Sequence, residues 1–149
     1  AVGTKVPDWV ADGFREYAKR MQGGARLELH AVAAARRRSG AEPARARAEE
    51  AERLRAAVPA RAWRIALDAG GSAISTGQLA ERVREWNRTG AQVAFLVGGP
   101  DGLDPALLGE ADERWSLSAL TLPHALVRVV LAEQLYRALS ILHHQPYHR

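Results

Sequence analysis

The strongest pattern of apolar and polar positions lies in the last third of the chain. Residues 117–122 read Leu, Ser, Ala, Leu, Thr, Leu, an alternation that predicts a buried strand opening into a loop. Pro123 cannot continue a sheet ladder and suits the first turn of a helix. From there to about Leu142, apolar residues occupy nearly every side, which predicts a helix lying inside the molecule. At 100° per residue, His124 and Arg128 fall on one edge of that helix and Glu133, Arg137 and Ser140 on the opposite one. The simpler reading is two solvated or partner-facing stripes, with Glu133 and Arg137 paired one turn apart for a few tenths of a kcal/mol. The sharper reading turns one stripe toward a ligand and the other toward a second subunit.

Upstream, short apolar runs alternate with helical periods. Ala1-Val2-Gly3 reads as the stub of a strand, and the lack of an initiator Met implies that residues precede it. Asp8 can cap a helix with Trp9, Val10, Phe14, Tyr17 and Met21 in helical phase, ended by Gly23-Gly24. Residues 26–33 alternate Leu27 and Leu29 against Glu28 and His30, predicting a half-buried strand with His30 at the surface. Pro43 opens a helix with Ala44, Ala48, Ala51 and Val58 on one face and Glu49–Arg53 paired elsewhere.

Residues 62–68 alternate Trp63, Ile65 and Leu67, a strand running into a turn at Ala69-Gly70-Gly71. Ser75 and Gln78 form a capping box for a helix through about Arg88, with Leu79, Val83 and Trp86 inward and Gly90 as its stop. Residues 93–97 are nearly all apolar, as in a central parallel strand covered on both faces. A glycine-rich turn, Gly98-Gly99-Pro100-Asp101-Gly102, follows, and Asp104-Pro105 opens another short helix. This alternation of strand and helix argues for an α/β fold with a mostly parallel sheet flanked by helices. No repeats or low-complexity linkers interrupt it.

Composition narrows the classes. A chain of 149 residues, 47% apolar and 26% charged, is expected to form one domain, 1–149. It has no cysteine, which excludes disulfides, thiolate zinc sites and thiol nucleophiles and fits a cytoplasmic protein. No apolar run is long enough to cross a membrane and no signal peptide opens the chain. The 21 basic and 17 acidic residues leave a net charge of +4, which permits an anionic partner such as RNA without demanding one.

Ligands of open α/β sheets bind beyond the carboxyl ends of the strands. Three such ends stand out here, at residues 67–71, 97–102 and 117–123, and their glycines let a ligand approach the backbone. The 98–102 turn has neither the Lys-Ser/Thr pair of a phosphate loop nor the dinucleotide fingerprint, so each turn alone reads first as a tight turn. No Ser-His-Asp set is apparent. His143, His144 and His148 invite a metal reading, but terminal histidines are commonly just solvated, and no metal is expected. Arg36-Arg37-Arg38-Ser39-Gly40 is a basic loop, either a solvated connector or a phosphate contact. Tyr147, His148 and Arg149 combine stacking, hydrogen bonding and charge, as in the holding of an unpaired RNA base; a frayed terminus is the simpler reading.

Five segments carry a resemblance to a known family: A-V-G-T-K-V-P-D-W at residues 1–9, L-V-G-G-P-D-G-L at 96–103, W-S-L-S-A-L-T-L-P-H at 115–124, R-V-V-L-A-E-Q-L-Y-R-A at 128–138 and P-Y-H-R at 146–149. In this order they resemble the bacterial ribosomal large-subunit methyltransferase H family across essentially the whole chain. The resemblance implies a SPOUT fold with a C-terminal trefoil knot, a rare exception to the rule against knots. It also implies a homodimer that uses S-adenosyl-L-methionine to methylate N3 of a pseudouridine in 23S rRNA, on the assembled ribosome.

Carried onto matching positions, the resemblance places the cofactor at Leu67, Gly98, Leu117, Ser118, Ala119, Leu120, Thr121 and Leu122. His124, Arg128, Tyr147, His148 and Arg149 become the catalytic candidates, with Glu133 near the site or the subunit interface. The sequence departs from the family in lacking the opening residues of the first strand and in carrying His144-Gln145 where an Asn-His or Gly-containing pair is usual. Positioning can lower such a barrier by up to ~7–11 kcal/mol. Arg128 or Arg149 would stabilise the developing anion and His124 or His148 would take the proton, a choice the sequence leaves open. Two other classes stay in view: a non-catalytic ribosome- or rRNA-binding assembly factor, and a metal-dependent hydrolase built on the terminal histidines.

Overall fold

A computed structural model describes residues 1–21, 25–36 and 42–148, with the side chain of His148 outside the description. The central element is strand β1 (Trp63–Ala73), flanked on one side by β2 (Val93–Val97) and on the other by β3 (Glu113–Ser116), all parallel. Consecutive residues of β1 point to opposite faces, and Ile65 and Ala66 are both fully buried. The sheet is therefore covered on both sides, the usual arrangement for parallel strands.

On the Ile65 face lie α3 (Thr76–Thr89) and α5 (His124–Leu142), contributing Leu79, Val83, Leu131, Leu135 and Leu139 to one core, with α1 (Asp8–Arg20) packed on α5. On the Ala66 face, α2 (Pro43–Ala57) and α4 (Pro105–Glu110) contribute Ala51, Leu54 and Leu107 to a second core. Gly13 lets α1 approach α5 closely, since a Cβ there would come 3.1 Å from Val129.

Several local expectations hold. Ser75 and Gln78 form a capping box, and Gly90 ends α3 at φ 65°. Strand β2 spans the residues expected, although β1 rather than β2 is the centre of the three-stranded sheet; the far side of β2 is met by the N–H of Val2 on the Val97 carbonyl at 3.0 Å. Pro43 begins α2 and the Asp104 side chain caps α4. Helix α1 follows Pro7 with no side-chain cap, so Asp8 is its first residue rather than its cap. Gly23-Gly24 and residues 37–40 of the basic loop fall outside the described residues.

Four further expectations are corrected. Residues 117–122 are not a strand: β3 ends at Ser116, whose hydroxyl donates to the Ser118 carbonyl while the Ser118 hydroxyl accepts from the Leu120 N–H, both at 2.9 Å. Serine side chains there satisfy backbone groups that a ladder would otherwise hold. Residues 26–33 give only one bridge, Val2 to Val32, and Leu29 is left 39% exposed. Ala44 and Ala48 are exposed, and α2 buries Glu50, Ala51 and Leu54 instead.

The fourth correction concerns the expected turn at Gly70-Gly71, which is part of β1. The strand shifts register against β3 between Leu67 and Ser72, and a Cβ on Gly71 would lie 2.7 Å from the Trp115 backbone. Glycine here serves a bulge and a close approach rather than a reversal.

Candidate functional site

The three strand ends converge. The ends of β2 and β3, the middle of β1, the 98–102 turn and the 117–123 segment enclose a cavity of about 490 Å³. Leu67, Gly98, Leu117, Ser118, Leu120, Thr121 and Leu122 all line it, with Trp115, Pro123 and Val127 adding apolar wall. Ala119 is exposed and does not line it. This size and this mostly apolar character suit a small organic ligand.

One wall is nearly pure backbone. The Gly102 N–H donates to the Gly99 carbonyl at 3.0 Å, and Gly102 sits at φ 81°. Gly98 is buried, and a Cβ on it would come 2.5 Å from the Gly102 carbonyl carbon. Glycine at 98 is therefore required by the turn itself, where sequence alone suggested room for a ligand. The opposite lip carries a carboxylate missed in the sequence: Asp68 also lines the cavity and accepts from Gly70 N–H at 3.0 Å and the Arg114 guanidinium at 2.7 Å.

His124, the first residue of α5, lines the cavity and is half-buried. Its imidazole is held below the ordinary histidine range, first by burial and then by the Arg128 cation one turn on, with Glu50 opposing. Arg128 itself does not line this cavity. Contrary to the solvated or partner-facing stripe expected for it, it is 2% exposed. Its guanidinium donates to the carbonyls of Val2 and Gly3, the latter at 2.8 Å. Helical phase was the available signal: position 128 continues through 131, 132, 135, 138 and 139, the stripe of α5 that faces the core. Glu50, 7% exposed, lies behind the glycine turn, where a Cβ on Gly99 would come 3.0 Å from its Oε2. Its phase with Ala51 and Leu54 could have revealed it.

The described part of the tail follows the far end of α5, a helix about 28 Å long for its 19 residues. Pro146–His148 form a short 3₁₀ turn folded back on the helix, so the tail is docked rather than frayed. The Tyr147 hydroxyl donates to Glu133 at 3.2 Å, and Arg137, paired with Glu133 at 2.6 Å, lies over the Tyr147 ring. Hydrogen bonding with Tyr17, burial and the Glu133 charge push the Tyr147 phenol well above its usual range. Arg149 and the His148 side chain lie outside the described residues. His143 and His144 are exposed, and among the described residues no three His, Asp or Glu side chains are grouped to hold a metal. Nor is any described helix long and apolar enough to cross a membrane.

A parallel sheet covered on both faces, with a glycine turn and the segment leading to the last helix walling one cavity, is an architecture of methyltransferases as well as of other ligand-binding α/β proteins. The chain belongs to the SPOUT methyltransferase family: the family model described as "Predicted SPOUT methyltransferase" matches residues 1–148. It is 53% identical, over all 149 residues and 94% of the relative's length, to a ribosomal RNA large subunit methyltransferase H of Acidithiobacillus ferrooxidans. Proteins of that name from Nitrosospira multiformis and Stenotrophomonas maltophilia are 50% and 47% identical to it, each over the whole chain and 96% of the relative.

Proposed function

We propose that this protein transfers a methyl group from S-adenosyl-L-methionine to N3 of a pseudouridine in 23S rRNA, on the assembled ribosome in the cytoplasm and as a homodimer. The observation that carries the reading is the cavity, in which seven residues matched to the family's cofactor positions meet from three separated segments. Its apolar walls fit an adenosine and an aliphatic chain, and its glycine turn offers backbone at close range. Bound there, the cofactor would supply a methyl group already activated by its sulfonium. The chain's own contribution is to orient the acceptor base, exclude water and accept one proton. In this reading the segment before α5 belongs to a trefoil knot through which the last helix passes.

The homodimer of this reading would bring the tail and the cavity together. The Tyr147 hydroxyl is held against Glu133, nine residues or about 14 Å along α5 from His124, and does not line its own cavity; two copies packed with these helices running in opposite directions would bring each tail to the other's cavity. Tyr147, His148 and Arg149 of one protomer would then face the cavity of the other and hold the RNA.

The test supplies the protein with methyl-labelled cofactor and, separately, assembled ribosomes, large subunits and free 23S rRNA. Label is expected at one pseudouridine of 23S rRNA in assembled ribosomes, located by mass spectrometry of nuclease fragments. Binding to ribosomes with no calorimetric response to either S-adenosylmethionine or S-adenosylhomocysteine would instead identify a non-catalytic assembly factor.

A further inference from the structure

We propose that His124 is the group that takes the proton from the acceptor nitrogen, and that Arg128 and Gly3 are the positioning residues that fix it for that task. The inference rests on reading the cavity as a methyl-transfer site and names the proton acceptor within it. Arg128 is the unusual residue. It is nearly fully buried, its Nε has no hydrogen-bond partner, and among the described residues it forms no ion pair. Its hydrogen bonds go to two backbone carbonyls, of Val2 and Gly3. A buried cation without a carboxylate is costly to keep, and its position gives it a use.

Gly3 explains the position. It sits at φ 103°, a conformation glycine adopts readily and other residues rarely do. A Cβ there would lie 3.2 Å from the Arg128 guanidinium and 3.8 Å from His124 Nε2. Gly3 thus borders the space of both side chains, accepting a hydrogen bond from Arg128, and Arg128, one helical turn beyond His124, acts on the imidazole with its charge.

Burial disfavours the charged form of His124 first, and among the described residues two ionisable groups act on it: Arg128 from α5 disfavours that form and Glu50 from α2 favours it. The ring also stands at the N-terminal end of α5, where the helix dipole opposes positive charge. The imidazole is therefore neutral at neutral pH and free to accept a proton.

The step balances. The N3–H proton passes to an imidazole nitrogen, and the N3 electron pair forms the new bond to the methyl carbon. The C–S bond breaks with its pair staying on sulfur, leaving a neutral thioether. The imidazolium formed beside Arg128 is destabilised and returns its proton to water.

Proton NMR titration of the assigned His124 ring tests the positioning without requiring activity. The wild-type midpoint should lie below the ordinary ~6.5 of histidine. Arg128→Gln should raise it, Arg128→Lys should largely restore it, and Glu50→Gln should lower it further. The last variant keeps the test decisive if Arg128→Gln fails to fold. A wild-type midpoint at or above the ordinary value, or no response to either charge change, overturns the positioning role.

Single-turnover methyl transfer against pH tests the acceptor role. Its acidic limb should follow the His124 midpoint in each variant, and His124→Asn should lose at least about a hundredfold in rate together with that limb. A wild-type profile in His124→Asn overturns the assignment. If the titrations behave as expected and the wild-type protein transfers no methyl group to any ribosomal substrate, it is the methyl-transfer reading that fails.

Discussion

The ring of Tyr147 stands edge-on to that of Tyr136, with centroids 4.6 Å apart, and this contact fastens the end of the chain to the last helix. Tyr17 of α1 lies 6.2 Å from Tyr136 on another side, and Arg20 sits over both the Tyr17 and Tyr136 rings. The tail therefore stabilises the molecule in addition to any part it plays at an active site. Deleting Tyr147–Arg149 should leave the fold intact but lower stability by about 2–4 kcal/mol, the scale of one aromatic pair plus a hydrogen bond to a charged group. Denaturant unfolding measures that loss. On the proposed function, cofactor affinity should change less than tenfold, under the ~1.4 kcal/mol that a factor of ten represents, while methyl transfer to ribosomes falls by at least about a hundredfold.

The same docking predicts a pH dependence. The folded Tyr147 phenol is raised above its unfolded value of ~10. Its contribution is then fully present below pH ~10 and is lost as pH rises from there toward the folded value, since the unfolded chain releases its proton first. Unfolding free energies at pH 8 and pH 10.5 should differ more for wild type than for Tyr147→Phe, which cannot ionise. Equal differences would show that the phenol is not the group responsible.

The glycine wall makes a third prediction. Gly98→Ala places a Cβ where the Gly102 backbone stands, at 2.5 Å, so the turn must open or the side chain must strain. The cost should be at least about 1–3 kcal/mol, as for overpacked cores, with loss of binding in the adjoining cavity. Gly109→Ala is the control: a Cβ in this helical position meets nothing within 4 Å and should be neutral or stabilise by up to ~1 kcal/mol. Thermal unfolding and calorimetry with S-adenosylhomocysteine on both variants separate a damaged turn from a general intolerance of substitution.

Local signals in the sequence hold where the local interaction is also the one that wins. Ser75 and Gln78 bond one another's backbone within one turn, and Gly90 ends the same helix, so α3 was legible from its own residues. Gly70-Gly71 looked identical to a turn because the partner that makes it a bulge, Trp115, lies over forty positions away. The alternation at residues 117–122 was real, but hydroxyl groups within the segment outcompeted the ladder. Arg128 looked solvated because an arginine is usually outside, and the carbonyls that hold it belong to Val2 and Gly3 at the other end of the chain. The cavity itself was anticipated as three strand ends; that they close on one space depends on strand order, which periodicity does not encode.

The last prediction tests whether the site is shared between chains. Within one protomer the docked tail holds the Tyr147 hydroxyl against Glu133, nine residues or about 14 Å along α5 from His124, so a tail that serves a cavity either reaches along its own helix or belongs to a second copy. A tail-deleted protein retains an intact cavity, and a His124→Asn protein retains an intact tail. Each alone should be nearly inactive on ribosomes. Mixed in equal amounts and allowed to exchange subunits, half of the dimers become mixed, and each mixed dimer holds one complete site and one doubly defective one. The mixture should then recover roughly a quarter of wild-type methyl transfer, the fraction that random pairing of two subunits gives. If the tail serves its own cavity, no pairing restores a complete site and the mixture stays as inactive as its parts. Light scattering on the same samples, reporting dimers throughout, ensures that failure to recover reflects the geometry and not a loss of assembly.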